Sequence, residues 1–367
     1  VYGVLRDIVT LRWQTDKSAA SCLAAWLHAH EHLVDSYPLP ASAFTAARSP
    51  KPIATAPEAV QHRVPAWLYE QLQSTWGTQT AALISASLEA AGVDLRVNTL
   101  LATRQQALAS LRQETLNNQK LTVSPTSRAP HGLRLPTRGP LNNTAAWRKG
   151  WLEVQDEGSQ LLALLCAAQT GGRVLDYCAG AGGKSLALIA SMQHKGELVA
   201  CDTSASRLAR LAPRAARAGI AGIDTVVLDE HSGLPLSETD VFNSPFDCVL
   251  VDAPCSGSGT LRRKPELLLQ TPNLAELATL QLRILTQASA HVKTGGRLIY
   301  ATCSLLAAEN DAVVAAFLAA NPQFRVQAAA PILATQGAKY AGDSLGSPYL
   351  RLAPHSHGTD GFFAAAL

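Results

Sequence analysis

From Trp151 onward, short apolar runs alternate with stretches of helical spacing. Runs at 173–178, 197–202, 225–229, 247–252 and 297–302 read as buried strands, with a final pair at 324–328 and 361–366. Helical spacing falls near 158–169, 184–194, 204–218, 274–292 and 307–320. Strand and helix in alternation predict an α/β fold with a mostly parallel, doubly wound sheet of Rossmann-like type. The terminal Gly361-Phe362-Phe363-Ala364-Ala365-Ala366 is expected as a late strand inserted antiparallel. No internal repeat is visible.

The first 150 residues are patterned differently. Val4, Leu5, Ile8, Val9 and Trp13 follow a helical spacing, as do Cys22, Leu23, Trp26 and Leu27. Pro38, Pro40, Pro50, Pro52 and Pro57 mark residues 37–62 as a loop or linker. Pro65 opens a helix through Trp67, Leu68, Leu72 and Trp76, and residues 81–91 form a second, stopped at Gly92. Residues 95–98 read as a strand, Thr103 caps a helix through Ala107, Leu108 and Leu111, and 121–123 and 133–135 read as further strands. The chain is therefore expected to divide into a helical amino-terminal region and linker at 1–62, a small β-α-β module at 63–150, and a Rossmann-like domain at 151–367. At 367 residues more than one domain is expected in any case.

Charge separates the same parts. Residues 1–150 hold 15 basic and 9 acidic side chains, a balance of +6; residues 151–367 hold 16 and 19, a balance of −3. A basic accessory half beside a near-neutral larger half suits a polyanion held by phosphate contacts. The small module is thus a candidate RNA-binding unit, although no aromatic ribonucleoprotein motif accompanies it. No apolar run approaches the ~20 residues of a membrane span, and no secretory signal opens the chain. The seven cysteines are odd in number and mostly set in apolar stretches, which suits a reducing cytoplasm. No CxxC pair occurs, so no metal site is expected. The chain opens on Val1 rather than Met, so a natural amino-terminal piece is expected to be missing.

Two of those cysteines sit where chemistry is expected. Asp252-Ala253-Pro254-Cys255-Ser256-Gly257-Ser258-Gly259 follows one buried run, and Thr302-Cys303-Ser304 follows another. Strand carboxyl ends converge on the ligand crevice of an open α/β sheet, so Asp252, Cys255 and Cys303 are expected together there. Upstream lies a glycine-rich turn, Asp176-Tyr177-Cys178-Ala179-Gly180-Ala181-Gly182-Gly183-Lys184. Its spacing is not the G-x-G-x-x-G of nicotinamide-binding loops. Asp202 and Asp229 end the next two strands, where one carboxylate can take ribose hydroxyls and the other an adenine edge. The trio suits S-adenosylmethionine. A thiol beside such a loop points to covalent group transfer.

These motifs resemble the Sun-type RNA (cytosine-5)-methyltransferases. The resemblance covers roughly Pro65 to Leu367 and rests on Val154-Gln155-Asp156-Glu157-Gly158-Ser159-Gln160, the Asp176–Lys184 loop, and Asp252–Gly259 with Arg262 and Arg263. It rests further on Thr302-Cys303-Ser304 with Glu309-Asn310, and on Gly358-Thr359-Asp360-Gly361-Phe362-Phe363. It implies S-adenosylmethionine held by Cys178, Ala179, Gly180, Ala181, Gly182, Gly183, Lys184, Asp202, Arg207, Asp229 and Asp252. It further implies an RNA substrate, ribosomal RNA ahead of transfer RNA, and a monomer. Cys303 would add to cytosine C6, Asp252 would bond the N3/N4 edge, Lys184 would lower the thiol pKa, and Cys255 would assist release. Two departures stand out: Ala181 replaces a usual Pro, and Glu230-His231 follows Asp229 where a small residue and Arg are common. The other readings are a methyltransferase of this fold with a different substrate and an inert RNA-binding relative. Arg262, Arg263 and Lys264 are expected either to grip the RNA backbone or to be solvated surface.

Overall fold

The computed structural model describes residues 2–14, 19–28, 53–116, 119–343 and 345–367. Residues 37–52, most of the expected linker, lie outside them. The two amino-terminal spacings form helices Tyr2–Gln14 and Ala19–His28. Helices Ala66–Trp76 and Thr80–Leu88 follow. Ile8, Leu11, Cys22, Leu68, Leu72 and Trp76 bury one apolar cluster together with Leu261, Leu268, Leu305 and Leu306. The last four belong to the loops beyond Cys255 and Cys303, so the helical region backs those loops directly.

Six short strands come next: β1 (Val93–Val97), β2 (Thr115–Leu116), β3 (Gln119–Lys120), β4 (Ser124–Pro125), β5 (Gly132–Leu135) and β6 (Leu152–Val154). β2 and β3 pair only with each other, and the others form an antiparallel sheet in the order β4-β5-β1-β6. Helix Arg104–Gln113 packs on it, started by the expected Thr103 cap, which forms a reciprocal capping box with Gln106. The strand expected at 121–123 is absent. Val123 packs in the apolar cluster with Leu133 and Leu135, and the pairing with β5 starts only at Ser124 and Pro125, continuing through the Thr126 N–H to the Gly132 carbonyl. β6 lies beyond residue 150 yet pairs with β1, so this sheet takes its last strand from the segment that leads into the larger domain.

The larger sheet contains β7 (Arg173–Asp176), β8 (Glu197–Asp202), β9 (Ile223–Val227), β10 (Phe246–Asp252), β11 (Val292–Thr302), β12 (Leu350–Leu352) and β13 (Phe362–Ala366). Its order is β12-β13-β11-β10-β7-β8-β9. Strands β11, β10, β7, β8 and β9 are parallel, and β13 inserts antiparallel beside β11 as its sequence suggested. Two expectations fail. Residues 324–328 form no strand beyond a single bridge at Gln327; Phe324 instead packs its ring at a tilt against Phe317, centroids 5.2 Å apart. The edge place goes to β12. The helix expected over 204–218 breaks into Ala205–Leu208 and Leu211–Arg217. Pro213 has no N–H for an interior turn, so a new helix starts just ahead of it. Apolar layers cover both faces of the sheet. Chain order reverses between β7 and β10, which opens the crevice above their carboxyl ends.

Candidate active site

Each strand end delivers one piece of the site. β7 ends on Asp176, which is fully buried; one carboxylate oxygen accepts from the Ser185 hydroxyl at 2.7 Å and the other has no partner. Burial pushes its pKa up to about 7, with the Ser185 bond pulling against it. The loop that follows turns through Gly180 and Gly182, both at positive φ. A Cβ at Gly182 would lie 2.2 Å from Leu211, so only glycine lets the loop close on that helix. Ala181, between them, is outside the positive-φ set, and its carbonyl accepts from Arg214.

β8 ends on Asp202, 5 % exposed, which accepts from the N–H groups of Gly180 at 2.8 Å and Ser204 at 2.9 Å. Arg207 stands 3.8 Å away. Each Asp202 oxygen keeps a lone pair for a hydroxyl. Asp229 lies just past β9. One of its oxygens accepts from the N–H groups of His231 and Ser232 and from the Ser232 hydroxyl, which holds its pKa below the usual range.

β10 ends on Asp252, bonded at 2.6 Å to Lys184 from the first turn of helix Gly183–Ser191. Burial pulls Lys184 down, but the Asp252 charge and hydrogen bond outweigh it and hold the ammonium above its ordinary pKa. Beyond β10 and β11, the sulfurs of Cys255 and Cys303 lie 3.4 Å apart. The two thiols split their titration. The hydrogen bond from Cys255 lowers Cys303, helped by Lys184 and Lys264 against burial and Asp252. The same bond, then burial, then the Cys303 and Glu309 charges push Cys255 well up. Cys303 is therefore the more acidic thiol of the pair and Cys255 the less acidic.

Asp229, Asp202, Cys178, Asp252, Cys255 and Cys303 line one cleft of about 540 Å³, while Asp176 and Lys184 stand off its lining. Lys264, Thr260, Leu267 and Ile284 form its opposite wall. Of the turn from Asp176 to Lys184, Tyr177 and Cys178 reach this lining. Arg263 is not on the wall. Its guanidinium is held by Asp360 at 2.6 Å, Asp156 at 2.8 Å and the Gly92 carbonyl at 2.9 Å, while Arg262 donates to the carbonyls of Gly358 and Thr359. Both arginines are thus tied to the protein itself, which fits neither the backbone grip nor the solvated surface expected of them, and of the three only Lys264 lines the cleft.

The model of the family described as 16S rRNA methyltransferase RsmB/F matches residues 163–367. The chain belongs to this family. A ferredoxin-like domain model of the same RsmF/B-like group matches residues 64–142. Ribosomal RNA small subunit methyltransferase B of Sodalis glossinidius is 33% identical over 84% of this chain and 66% of its own length. The probable ribosomal RNA small subunit methyltransferase B of Synechocystis is 34% identical over 84% of this chain and 67% of its own. The chain thus spans about two thirds of the length of the curated relatives it matches. A methyltransferase homologue from Pyrococcus horikoshii superposes with a TM-score of 0.66 at 25% identity, covering 84% of this chain and 96% of that one.

The RsmB/F family and its structural neighbours are S-adenosylmethionine-dependent methyltransferases. The residues here fit that group. Two left-handed glycines let the backbone pass close to a ligand, the carboxylate of Asp202 has room for two hydroxyls, and the unpartnered oxygen of Asp176 is an acceptor left over beside the loop.

One group escaped the sequence reading. Glu309 is fully buried and accepts from both cysteine loops. Its only signal in the sequence was its place in the Glu309-Asn310 pair after Thr302-Cys303-Ser304.

Proposed function

We infer that this chain methylates C5 of a cytosine in RNA, ribosomal RNA by preference, with S-adenosylmethionine as methyl donor. The observation that carries this reading is the pair of cysteine sulfurs at 3.4 Å beside the Lys184–Asp252 ion pair, in a cleft that also carries Asp202. Cytosine C5 is a poor nucleophile until a thiolate adds at C6. Cys303, the more acidic thiol, supplies that attack and forms the sulfur–carbon bond, while the C5=C6 electron pair moves onto C5 and the ring. Asp252 accepts from the exocyclic amine, and the Lys184 ammonium provides charge for N3 as it gains electron density. S-adenosylmethionine supplies the electrophilic methyl group that C5 captures. Release then needs a base for the C5 proton. Once Cys303 is bonded to C6, it no longer takes the Cys255 hydrogen bond. The largest cause of the raised Cys255 pKa is gone, so Cys255 can lose its own proton to water and, as a thiolate, take the C5 proton; the electrons of the C5–H bond re-form C5=C6 and Cys303 leaves C6 as a thiolate.

Asp202, the glycine turn and Arg207 are the residues assigned to the cofactor, with Asp229 beyond them. The target base must be unpaired or flipped to reach the cleft. Residues 63–150, with their basic balance, are assigned to RNA contact. The test is transfer of labelled methyl from S-adenosylmethionine to ribosomal RNA, followed by bisulfite mapping of the modified position. Label at a single protected cytosine is expected. Label on protein, or on RNA at a site that bisulfite converts, would overturn the reading.

A further inference from the structure

Glu309 sits between the two cysteine loops, although nothing in its own position touches the cleft. One carboxylate oxygen accepts from the Ser256 N–H at 2.8 Å and from Gln281 at 3.0 Å. The other accepts from the hydroxyls of Ser256 and Ser304, each at 2.5 Å. Ser256 follows Cys255, and Ser304 follows Cys303. Gln281, from helix Leu274–Ser289, also donates to the carbonyl of Pro254, the residue before Cys255. Glu309 itself is fixed from behind. Tyr300 donates to its carbonyl at 2.6 Å, and the neighbouring Asn310 bonds the Thr302 hydroxyl and the Ser304 carbonyl. Each donor to the carboxylate flanks a cysteine or braces a residue that does.

We propose that Glu309 is the positioning residue of the thiol pair: its carboxylate ties the Cys255 loop to the Cys303 loop and thereby sets the distance between the two sulfurs. The proposal rests on the methyltransferase reading for its purpose but not for its geometry. Among the described residues, backbone links join Ala253 to the Ala301 carbonyl and Gly259 to the Cys303 carbonyl, and Ser258 reaches Ser304 and the Leu305 N–H, but none of these is made by Cys255 or its immediate neighbours, which Glu309 holds. A buried carboxylate with four donors is a stiff tether, because hydrogen bonds to a charged acceptor are about twice as strong as neutral ones. The charge does a second task. It lies on the Cys255 side of the pair and opposes ionisation there. Cys255 is thereby kept the less acidic thiol of the two. Glu309 so assigns the two roles as well as the spacing.

The test reads the thiol pair without RNA. In a glutathione redox buffer, Cys255 and Cys303 give two electrons and two protons to one glutathione disulfide, which leaves as two glutathione molecules. The sulfurs close from 3.4 Å to a bond of about 2.05 Å. The equilibrium constant, followed by peptide mass spectrometry, measures how well the thiols are held together. Glu309→Ala is expected to lower it about tenfold or more, from the loss of charge-assisted bonds. Glu309→Gln is expected to stay within about threefold, since the serine hydroxyls can turn to accept from the amide. The Gln variant should nonetheless move the alkylation midpoint of Cys255 to lower pH, a shift that packing alone does not produce. In methyl transfer, Glu309→Ala should lower kcat and leave the KM for S-adenosylmethionine unchanged. If Glu309→Ala does not fold, Ser256→Ala removes the hydroxyl donor on the Cys255 side and should give about a threefold loss. A disulfide constant equal to wild type in folded Glu309→Ala, or in Ser256→Ala where the former is unfolded, would overturn the proposal. If the wild type methylates no RNA but the constant still falls, the positioning role stands and the activity reading fails.

Discussion

At the scale of single residues, the division of labour between Cys303 and Cys255 is the sharpest consequence. Cys303→Ala is expected to abolish methyl transfer and leave no covalent RNA complex. Cys255→Ala is expected to add to the base and methylate it but fail to release it. A denaturing gel should then show a slow, heat-resistant, ribonuclease-sensitive band for Cys255→Ala alone; the same band from Cys303→Ala would reverse the assignment. At 3.4 Å no base fits between the sulfurs, since a ring in contact with both needs about 7 Å. Both thiols therefore meet one edge of the base, or the loops part as it enters. The cysteines were legible because two motifs each placed one thiol after a buried run. Glu309 was not, because its importance lies in which two loops it bridges, and a bridge between strand ends is set by tertiary contact. Asp176 gives a pH prediction. With a folded pKa of about 7 it binds more protons folded than unfolded at intermediate pH. Its contribution to stability is present below the ordinary carboxyl range and is lost as pH rises through about 7. Relative to Asp176→Asn, wild type should lose up to about 4 kcal/mol between about pH 4 and 7. Urea melts in which the difference does not vary with pH would refute this.

Elements position these residues, and two of them carry predictions. Asp202 ends β8 and takes the Gly180 N–H, so it fixes the loop and is the residue proposed to meet the cofactor ribose. Asp202→Ala should weaken S-adenosylmethionine by about ten- to a hundredfold, the loss of one or two charge-assisted bonds, as read by calorimetry. Arg263 joins three segments far apart in sequence: Asp156 ahead of helix Glu157–Leu165, Asp360 ahead of β13, and Gly92 ahead of β1. Arg263→Met leaves two buried carboxylates facing each other and should cost about 3–5 kcal/mol in a urea melt. Restoring most of that loss with Asp156→Asn and Asp360→Asn added would show that charge, not packing, is responsible. The five parallel strands and the antiparallel β13 were legible in the sequence because buried strands are continuous apolar runs. β12 and β6 were not, since three-residue strands are too short to show a period. The second half of the helix over 204–218 was misjudged because Ala-rich spacing hides the break that Pro213 forces.

The accessory sheet, taken with the whole molecule, meets the larger domain through charge. β1 alternates: Val93, Leu95 and Val97 face helix Arg104–Gln113, while Asp94 and Arg96 point the other way and are buried. Asp94 holds Arg134 through two bonds and takes the Glu157 N–H, and Arg96 bonds Gln155. Glu153 on β6 pairs with Arg214 and Arg217. Cutting the chain at residue 150 would strand this network and remove the partners of β6, so truncation does not test RNA contact cleanly. Charge removal in place does. Arg112, Lys120, Arg148 and Lys149 are exposed on the basic half, whereas Lys195 and Arg325 are exposed near the amino ends of the strands, away from the cleft. If the basic half holds RNA, changing the first four to Gln should lower the slope of log K against log salt by up to about 3, roughly 0.7 for each phosphate no longer neutralised. Lys195→Gln with Arg325→Gln should leave the slope unchanged. Equal slopes for both sets, in proteins that melt like wild type, would place the RNA on Lys264 and the cleft wall alone. The +6 balance of the first 150 residues would then be surface charge without a partner.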